Sequence, residues 1–384
     1  MKRRICVVVT ARPSYARIKT ALQAIQAHPD LELQLVVAAS AVLERYGEAL
    51  KNIRKDGFDV AASVFMVLEG ENLVTSAKST GLGMMELATV FDNLKPHMVI
   101  TIADRYETLA TAAAASYMNI PLVHMQGGEV TGSIDEKVRH AVTKLSDYHF
   151  TCTDIAAERV RKMGEDPSAV FVTGCPSIDL ANEVRNDPKL NFDPFMKYGG
   201  VGAPVNLADG YVVVLQHPVT TEYEDSRQHI LETLYAVKEV NIPTLWFWPN
   251  VDAGSDGTSK GIRWFREEEK PSKFHFFKNM EPTDFLRLVY NSNAIVGNSS
   301  VAIRECSFLG AGAVNIGTRQ AGRERGANVI DVEYNRHQIR DAIREHMNDA
   351  KKKPSTIYGD GSAGPRIAAL LHKLPHKIEK RLAY

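Results

Sequence analysis

Apolar, β-branched runs recur along this chain with helix-like sequence between them, and that alternation is the signature of parallel α/β sheets. In the first half the runs are ICVVVT (5 to 10), LQLVVAAS (33 to 40), VFMVL (64 to 68), HMVITIA (97 to 103), PLVHMQ (121 to 126), YHFTCT (148 to 153) and VFVTGC (170 to 175). A polar, Pro- and Gly-containing segment follows, reading as an interdomain linker or surface loop. The alternation then restarts with YVVVLQ (211 to 216), TLWFWP (244 to 249), FHFFKN (274 to 279), AIVGNS (294 to 299), AVNIG (313 to 317) and VIDV (329 to 332). At 384 residues the chain exceeds one comfortable core. Two Rossmann-like α/β domains are therefore expected, 1–182 and 183–364. The last stretch, PRIAALLHKLPHKIEKRLA, reads as a terminal helix over 365–384 interrupted at Pro375, packing back on the first domain.

Composition excludes several classes. Lys plus Arg equals Asp plus Glu at 46 each, so no net charge points to nucleic acid or an anionic membrane. No apolar run approaches ~20 residues, and the N-terminal apolar segment is too short for a signal peptide, so a cytoplasmic location is expected. Cys6, Cys152, Cys175 and Cys306 are far apart and form no C-x-x-C, which reads as buried thiols rather than a disulfide framework or zinc site. No metal cluster and no cofactor motif is read from the sequence.

Chemistry is expected where strands end, because ligands of parallel sheets bind at the strands' carboxyl ends. The first strand ends at Thr10-Ala11-Arg12-Pro13-Ser14 before a helix starting near Tyr15. This is not G-x-G-x-x-G, which disfavours a nicotinamide dinucleotide. Arg12 there suits an anion, against the plainer reading of a solvated Arg with Ser14 as a cap. Asp104 and Arg105 open an Ala-rich helix after the fourth run, and an N-cap role alone would account for Asp104. The segment HMQGGEVTGSIDEKVRHAVTKLSDYHF (124 to 150) then brings Gln126, a Gly-Gly turn, Glu129, Asp135 and Glu136 to the same strand-end region. Clustered carboxylates raise one another's pKa, which can separate an acid from a base. Asp135 and Arg139, like Glu136 and His140, are spaced i,i+4. In the second half His217 follows a strand, where an imidazole can meet a leaving phosphate. GNSSVAIRE (297 to 305) offers Ser299 and Ser300 to a phosphate and Glu305 to two adjacent sugar hydroxyls. GTRQAGRERGANV (317 to 329) sets three Arg, including Arg319, in a Gly-rich loop.

These motifs, together with GCPSID and PNVDAGS, resemble those of the hydrolysing UDP-N-acetylglucosamine 2-epimerases of sialic and legionaminic acid biosynthesis, including the epimerase half of the bifunctional epimerase/kinase. The similarity covers most of residues 5 to 332. The EAGLRT and PEE-x-NR motifs of the non-hydrolysing enzymes are absent. The resemblance implies a glycosyltransferase-B-like fold, two Rossmann-like domains facing across a cleft with nucleotide held mainly by the second. It implies elimination of UDP from UDP-GlcNAc to 2-acetamidoglucal, then hydration to N-acetylmannosamine. Asp104 and Asp135 match acid/base positions, with Glu129 nearby and His217 at the diphosphate. Arg12, Ser299, Ser300 and Arg319 match phosphate contacts, Glu305 the ribose, and Asn250 a cleft-lining position. Ser14, Arg105, Gln126 and Arg139 complete the expected substrate-binding set. Gln126 departs from relatives that carry Glu there. An amide cannot take a proton, so Glu129 is the obvious replacement base. The same departure admits a UDP-2,4-diacetamido sugar or GDP-GlcNAc as substrate. Further readings are a glycosyltransferase, which would leave the Asp104 and Asp135 cluster without a clear purpose, and a nucleotide-sugar-binding regulator. A homodimer, or a higher homo-oligomer, is expected from the family.

Overall fold

The computed structural model describes residues 2–43, 49–69, 73–130, 134–249, 255–349 and 351–384. They form two compact units: Met1–Asp179 with Tyr358–Tyr384, and Leu180–Ile357. Among the described residues of the first unit, seven strands make one parallel sheet: β1 (Arg3–Val9), β2 (Leu31–Ala38), β3 (Val60–Val64), β4 (Met98–Ile102), β5 (Leu122–Met125), β6 (Tyr148–Thr151) and β7 (Val170–Val172). Their order is β3-β2-β1-β4-β5-β6-β7. The second unit holds β8 (Val212–Leu215), β9 (Thr244–Phe247), β10 (Phe274–Phe277), β11 (Ala294–Gly297), β12 (Ala313–Ile316) and β13 (Val329–Val332) in the order β10-β9-β8-β11-β12-β13, also parallel.

Both faces of the inner strands are covered, which is why they read as unbroken apolar runs. In β1, Ile5, Val7 and Val9 enter one core cluster while Cys6 and Val8 enter another, the period of two set by the pleat. The first cluster is closed by helices Arg12–Ala27 and Ala363–Lys373, through Ile18, Leu22 and Ile25 from one and Ile367 and Leu371 from the other. The second is closed by helices Leu73–Leu94 and Tyr106–Tyr117. Each fully buried Val or Ile stabilises by about 1.5–3 kcal/mol. All four cysteines are buried free thiols.

Asp179 holds the returning chain in place. Its carboxylate accepts from the Ala363 and Gly364 N–H groups at 2.8 and 2.7 Å and from Thr20 Oγ1 at 3.0 Å, so it joins the start of the terminal helix to the first helix. Gly364 lies against Thr20, where an added Cβ would come 2.6 Å from the Thr20 carbonyl oxygen.

Several elements differ from the sequence expectation. The third strand is Val60–Val64 rather than 64–68; it is a sheet edge with only partial burial, and its pattern is correspondingly weak. The first helix begins at Arg12, not near Tyr15, because Pro13 falls in the first turn, where its missing N–H costs nothing. The terminal helix ends at Lys373, and Leu374–Tyr384 is not helical. Pro375 pushes Leu374 into extended backbone, φ −59° and ψ 133°. The segment after Asn186 is no free linker. It carries helix Pro194–Tyr198, and Val201 pairs with Phe276 beside β10.

Candidate active site

In each sheet the chain reverses its direction of progress at one place, and side chains leaving the two strands there share a crevice. In the first unit that place is between β1 and β4. Arg12 leaves the end of β1 half-buried, and burial lowers its pKa from the ordinary value. Ser14 is buried one turn on and does not cap the helix, whose N-cap is Ala11. Beside them Ala103, φ +72°, directly follows β4, and Gln126, φ +66°, directly follows β5. Two non-glycine residues in the left-handed region on adjacent strand ends cost of order 1–3 kcal/mol each and need outside support.

Buried side chains supply that support. His124 Nε2 meets the Ala103 carbonyl at 2.9 Å and its Nδ1 meets Thr143 Oγ1 at 3.1 Å. A carbonyl only accepts, so Nε2 carries the ring proton. Burial holds His124 near a pKa of about 3, keeping it neutral. Arg139, 1% exposed, donates from Nη1 to the Gln126 carbonyl at 2.6 Å and from Nη2 to Asp104 Oδ2. Asp104 thus has a role besides any part it plays at the start of the next helix. Helix Tyr106–Tyr117 has Arg105 at its N-cap position without a side-chain cap bond, while Arg105 Nε reaches the buried Glu107 at 3.3 Å.

Gly127 and Gly128 then turn the chain. Gly128 has φ +75°, and a Cβ there would sit 2.1 Å from the Ala156 carbonyl oxygen, so only glycine fits. Arg159 Nη1 donates to the Gly128 carbonyl at 3.2 Å. Glu129 follows, buried at 3% exposure. Asp135, half-buried, lies in the first turn of helix Ile134–Leu145, and Glu136 pairs with His140 at 3.3 Å. Gln126 Nε2 approaches Cys175 Sγ at 3.5 Å, and its buried Oε1 has no hydrogen-bond partner among the described residues.

In the second unit the reversal falls between β8 and β11. His217 leaves β8 and Asn298 leaves β11, and the two exchange a pair of hydrogen bonds. The His217 N–H donates to Asn298 Oδ1 and Asn298 Nδ2 donates to the His217 carbonyl, both at 2.8 Å. Gly297, φ +134°, makes room, since a Cβ would lie 2.2 Å from the Leu215 carbonyl oxygen. The Asn298 carbonyl accepts from Gln320 Nε2 at 2.8 Å and from Arg319 Nη1 at 3.2 Å. Ser299 caps the following turn through Val301 N–H at 3.4 Å, and Ser300 opens it. Glu305 is buried, and its Oε2 has no hydrogen-bond partner among the described residues. In the Arg-rich loop, Arg325 pairs with Asp331 at 3.0 Å, which fixes it to the sheet edge.

In the first unit Arg12 and Ser14 thus follow β1, Asp104 and Arg105 follow β4, Gln126 and Glu129 follow β5, and Asp135 and Arg139 lie on the next helix, from which Arg139 reaches Asp104 and the Gln126 carbonyl. The second gathers His217, Ser299, Ser300, Glu305 and Arg319 around β8 and β11. Asn250 lies outside the described residues. The sequence reading left His124 and Asn298 unassigned. Both are polar residues inside or ending apolar strands, but their partners become visible only once strand order is known. Arg139, expected among the substrate-binding residues, also bonds to Asp104 and to the Gln126 carbonyl and so supports those groups.

Comparison with known proteins accords with this architecture. The family model for UDP-N-acetylglucosamine 2-epimerase matches residues 23–372. The chain is 30% identical to UDP-N,N'-diacetylbacillosamine 2-epimerase (hydrolyzing) of Legionella pneumophila, covering 98% of this chain and 97% of that protein. It is 27% identical to UDP-N-acetylglucosamine 2-epimerase of Neisseria meningitidis, over 94% and 92% of the two chains. The crystal structure of UDP-GlcNAc 2-epimerase from Neisseria meningitidis bound to UDP-GlcNAc superposes with a TM-score of 0.77 at 17% identity, over 97% of this chain and 100% of that one. The shared architecture is the glycosyltransferase-B-like fold. With two parallel sheets, their strand-end residues and a family match across nearly the whole chain, the protein belongs to the UDP-N-acetylglucosamine 2-epimerase family.

Proposed function

We propose that the protein is a hydrolysing UDP-N-acetylglucosamine 2-epimerase that converts UDP-GlcNAc and water to UDP and N-acetylmannosamine. The observation that carries this reading is the Asp104–Arg139–Gln126 carbonyl constellation beside buried Glu129, where the first sheet reverses. It supplies one carboxylate, Asp104, fixed by a buried partner and a second, Glu129, held out of water, and positioned, desolvated groups are what the removal of a weakly acidic proton requires. In the first step a carboxylate takes the proton from sugar carbon 2 as the bond from carbon 1 to the diphosphate oxygen breaks, leaving 2-acetamidoglucal and UDP. In the second, water adds its hydroxyl to carbon 1 and a proton returns to carbon 2 from the opposite face. With an amide at position 126, Glu129 takes the base role, and Asp104 and Asp135 serve as the acid/base pair for hydration. His217 stabilises the departing diphosphate together with Arg12, Ser299, Ser300 and Arg319. Glu305 takes the ribose hydroxyls. Ser14, Arg105 and Asn250 complete substrate contacts, and the chemistry calls for no redox cofactor.

A second substrate, a UDP-2,4-diacetamido sugar, is favoured by the similarity to the Legionella enzyme over almost the full length of both chains. The deciding experiment is an NMR time course in deuterated water with each nucleotide sugar and no acceptor. Release of UDP with deuterium at carbon 2 of the free 2-epimerised sugar supports the reading, and the faster substrate identifies the sugar. No turnover on UDP-GlcNAc, the diacetamido sugar or GDP-GlcNAc would overturn it in favour of a transferase or a binding protein.

A further inference from the structure

We propose that His28, Asp30 and His372 bind one divalent transition-metal ion of the zinc type, which clamps the C-terminal helix to the first helix. One ligand atom from each of the three residues lies within 4.8 Å of the others. The two imidazole rings have centroids 5.1 Å apart and planes inclined by 34°. The fold produces this meeting. Gly364 packs on Thr20, and the same stride further along both helices His372 meets His28, so the helices Ala363–Lys373 and Arg12–Ala27 run side by side to a common end. His28 is the C-cap of the first helix, in extended backbone that turns its ring out of the helix, and Asp30 follows on the turn into β2.

The chemistry of the set selects the ion. Two imidazoles and a carboxylate suit zinc, nickel or copper, whereas magnesium and calcium require oxygen ligands. Arg3 stands beside the site. Its Nη1 donates to the Leu371 carbonyl at 2.8 Å and the His372 carbonyl at 3.3 Å, so a positive charge already stands at the end of the terminal helix. That charge works against any cation, which the bonds to the two imidazoles and the carboxylate have to outweigh. Tetrahedral zinc with bonds of about 2.0–2.1 Å needs neighbouring ligand atoms closer than they stand, and the exposed Asp30 and His372 side chains can rotate inward. The Asp30 N–H contact to His28 Nδ1, 3.2 Å, would be lost if Nε2 took the metal and Nδ1 the proton. A fourth position remains for water. The role is structural: a bound ion would join the first helix, which opens at Arg12, to the helix that returns from the other unit.

The test uses untagged full-length protein stripped with chelator, titrated with zinc chloride by calorimetry and melted with and without the ion. The expected result is one saturable ion per chain and a rise in Tm with zinc but not magnesium, since an ion that binds only the folded state raises stability by mass action. His372→Ala and His28→Ala should each weaken zinc binding at least ~10-fold and abolish the Tm rise. Both positions lie at the surface ends of helices, and a circular dichroism spectrum unchanged without zinc verifies that the variants fold. Absence of saturable binding to the native protein, or binding that survives both substitutions, overturns the proposal.

Discussion

Asp104 and Arg139 depend on one another, and that governs how substitutions at the site will read. Removing the Arg139 partner altogether leaves a guanidinium that is 1% exposed with one fewer bond, a change that in buried pairs costs about 3–5 kcal/mol. Asp104→Asn keeps the shape and an acceptor, so it is the cleaner probe. Turnover should fall at least ~100-fold, the usual loss for an acid/base group, with UDP affinity retained; near-normal turnover would remove Asp104 from the chemistry. Glu129→Gln should stop deuterium entering sugar carbon 2 to a similar extent, and undiminished exchange would assign the base elsewhere. At the nucleotide end, Glu305→Ala should weaken UDP binding in calorimetry, and an unchanged Kd would exclude the ribose contact. Asn298 acts through its neighbours: its amide brackets the His217 backbone and its carbonyl holds Arg319 and Gln320.

The turn between β5 and helix Ile134–Leu145 shows how an element's conformation rests on one atom's absence. Gly128→Ala must accommodate φ +75° and a Cβ aimed at the Ala156 carbonyl of helix Asp154–Lys162. A left-handed non-glycine residue costs of order 1 kcal/mol or more by itself, and the collision must move the turn or the helix. We expect a loss of about 2–4 kcal/mol in urea unfolding together with lost turnover, because Glu129 rides on the same turn; an unchanged midpoint would mean the turn relaxes freely. Strands were the legible part of this fold. The buried parallel runs announce themselves by β-branched continuity, and only edge strand β3, half-exposed in its burial pattern, was placed off register. Helix ends were less legible, since Pro13 can open a helix as readily as interrupt one and the first helix takes the former course. For the candidate site, the strand-end rule put Asp104, Glu129 and His217 just past strands, and they follow β4, β5 and β8. It could not show that Asp104 pairs with Arg139 from a later helix, or that Asn298 brackets His217, because those partnerships follow from which strands are neighbours.

At the scale of the whole molecule, the N-terminal unit should be sensitive to acid, because it buries groups whose protonation folding opposes. Burial lowers His124 from the ordinary 6.5 to about 3 and lowers His149 in the same direction. Burial would raise Glu165, but hydrogen bonds from His149, Lys144 and Lys380 together hold it down at about 2. Lys380 comes from the chain's C-terminal segment, so the same network holds that segment in place. The sign is the same for all three groups. Between pH 6.5 and 3 the unfolded chain protonates His124 while the folded chain does not, so the unfolded state binds more protons and stability falls as pH falls. Each such proton contributes a slope of up to about 1.4 kcal/mol per pH unit. Glu165 adds its share below about 4.5, where the unfolded carboxylate begins to protonate. In the C-terminal unit burial also lowers His346. Urea unfolding measured at half-unit steps from pH 7.5 to 4 should therefore show stability nearly level above pH 7 and declining steadily below it. His124→Asn should be less stable at pH 7.5 yet lose less on acidification, its slope between pH 6 and 4 smaller by about one proton. A native protein equally stable at pH 7 and pH 4.5, or a variant with an unchanged slope, would mean that His124 is protonated in the folded state, with Nε2 still donating to the Ala103 carbonyl and Nδ1 donating to Thr143 Oγ1 instead of accepting from it.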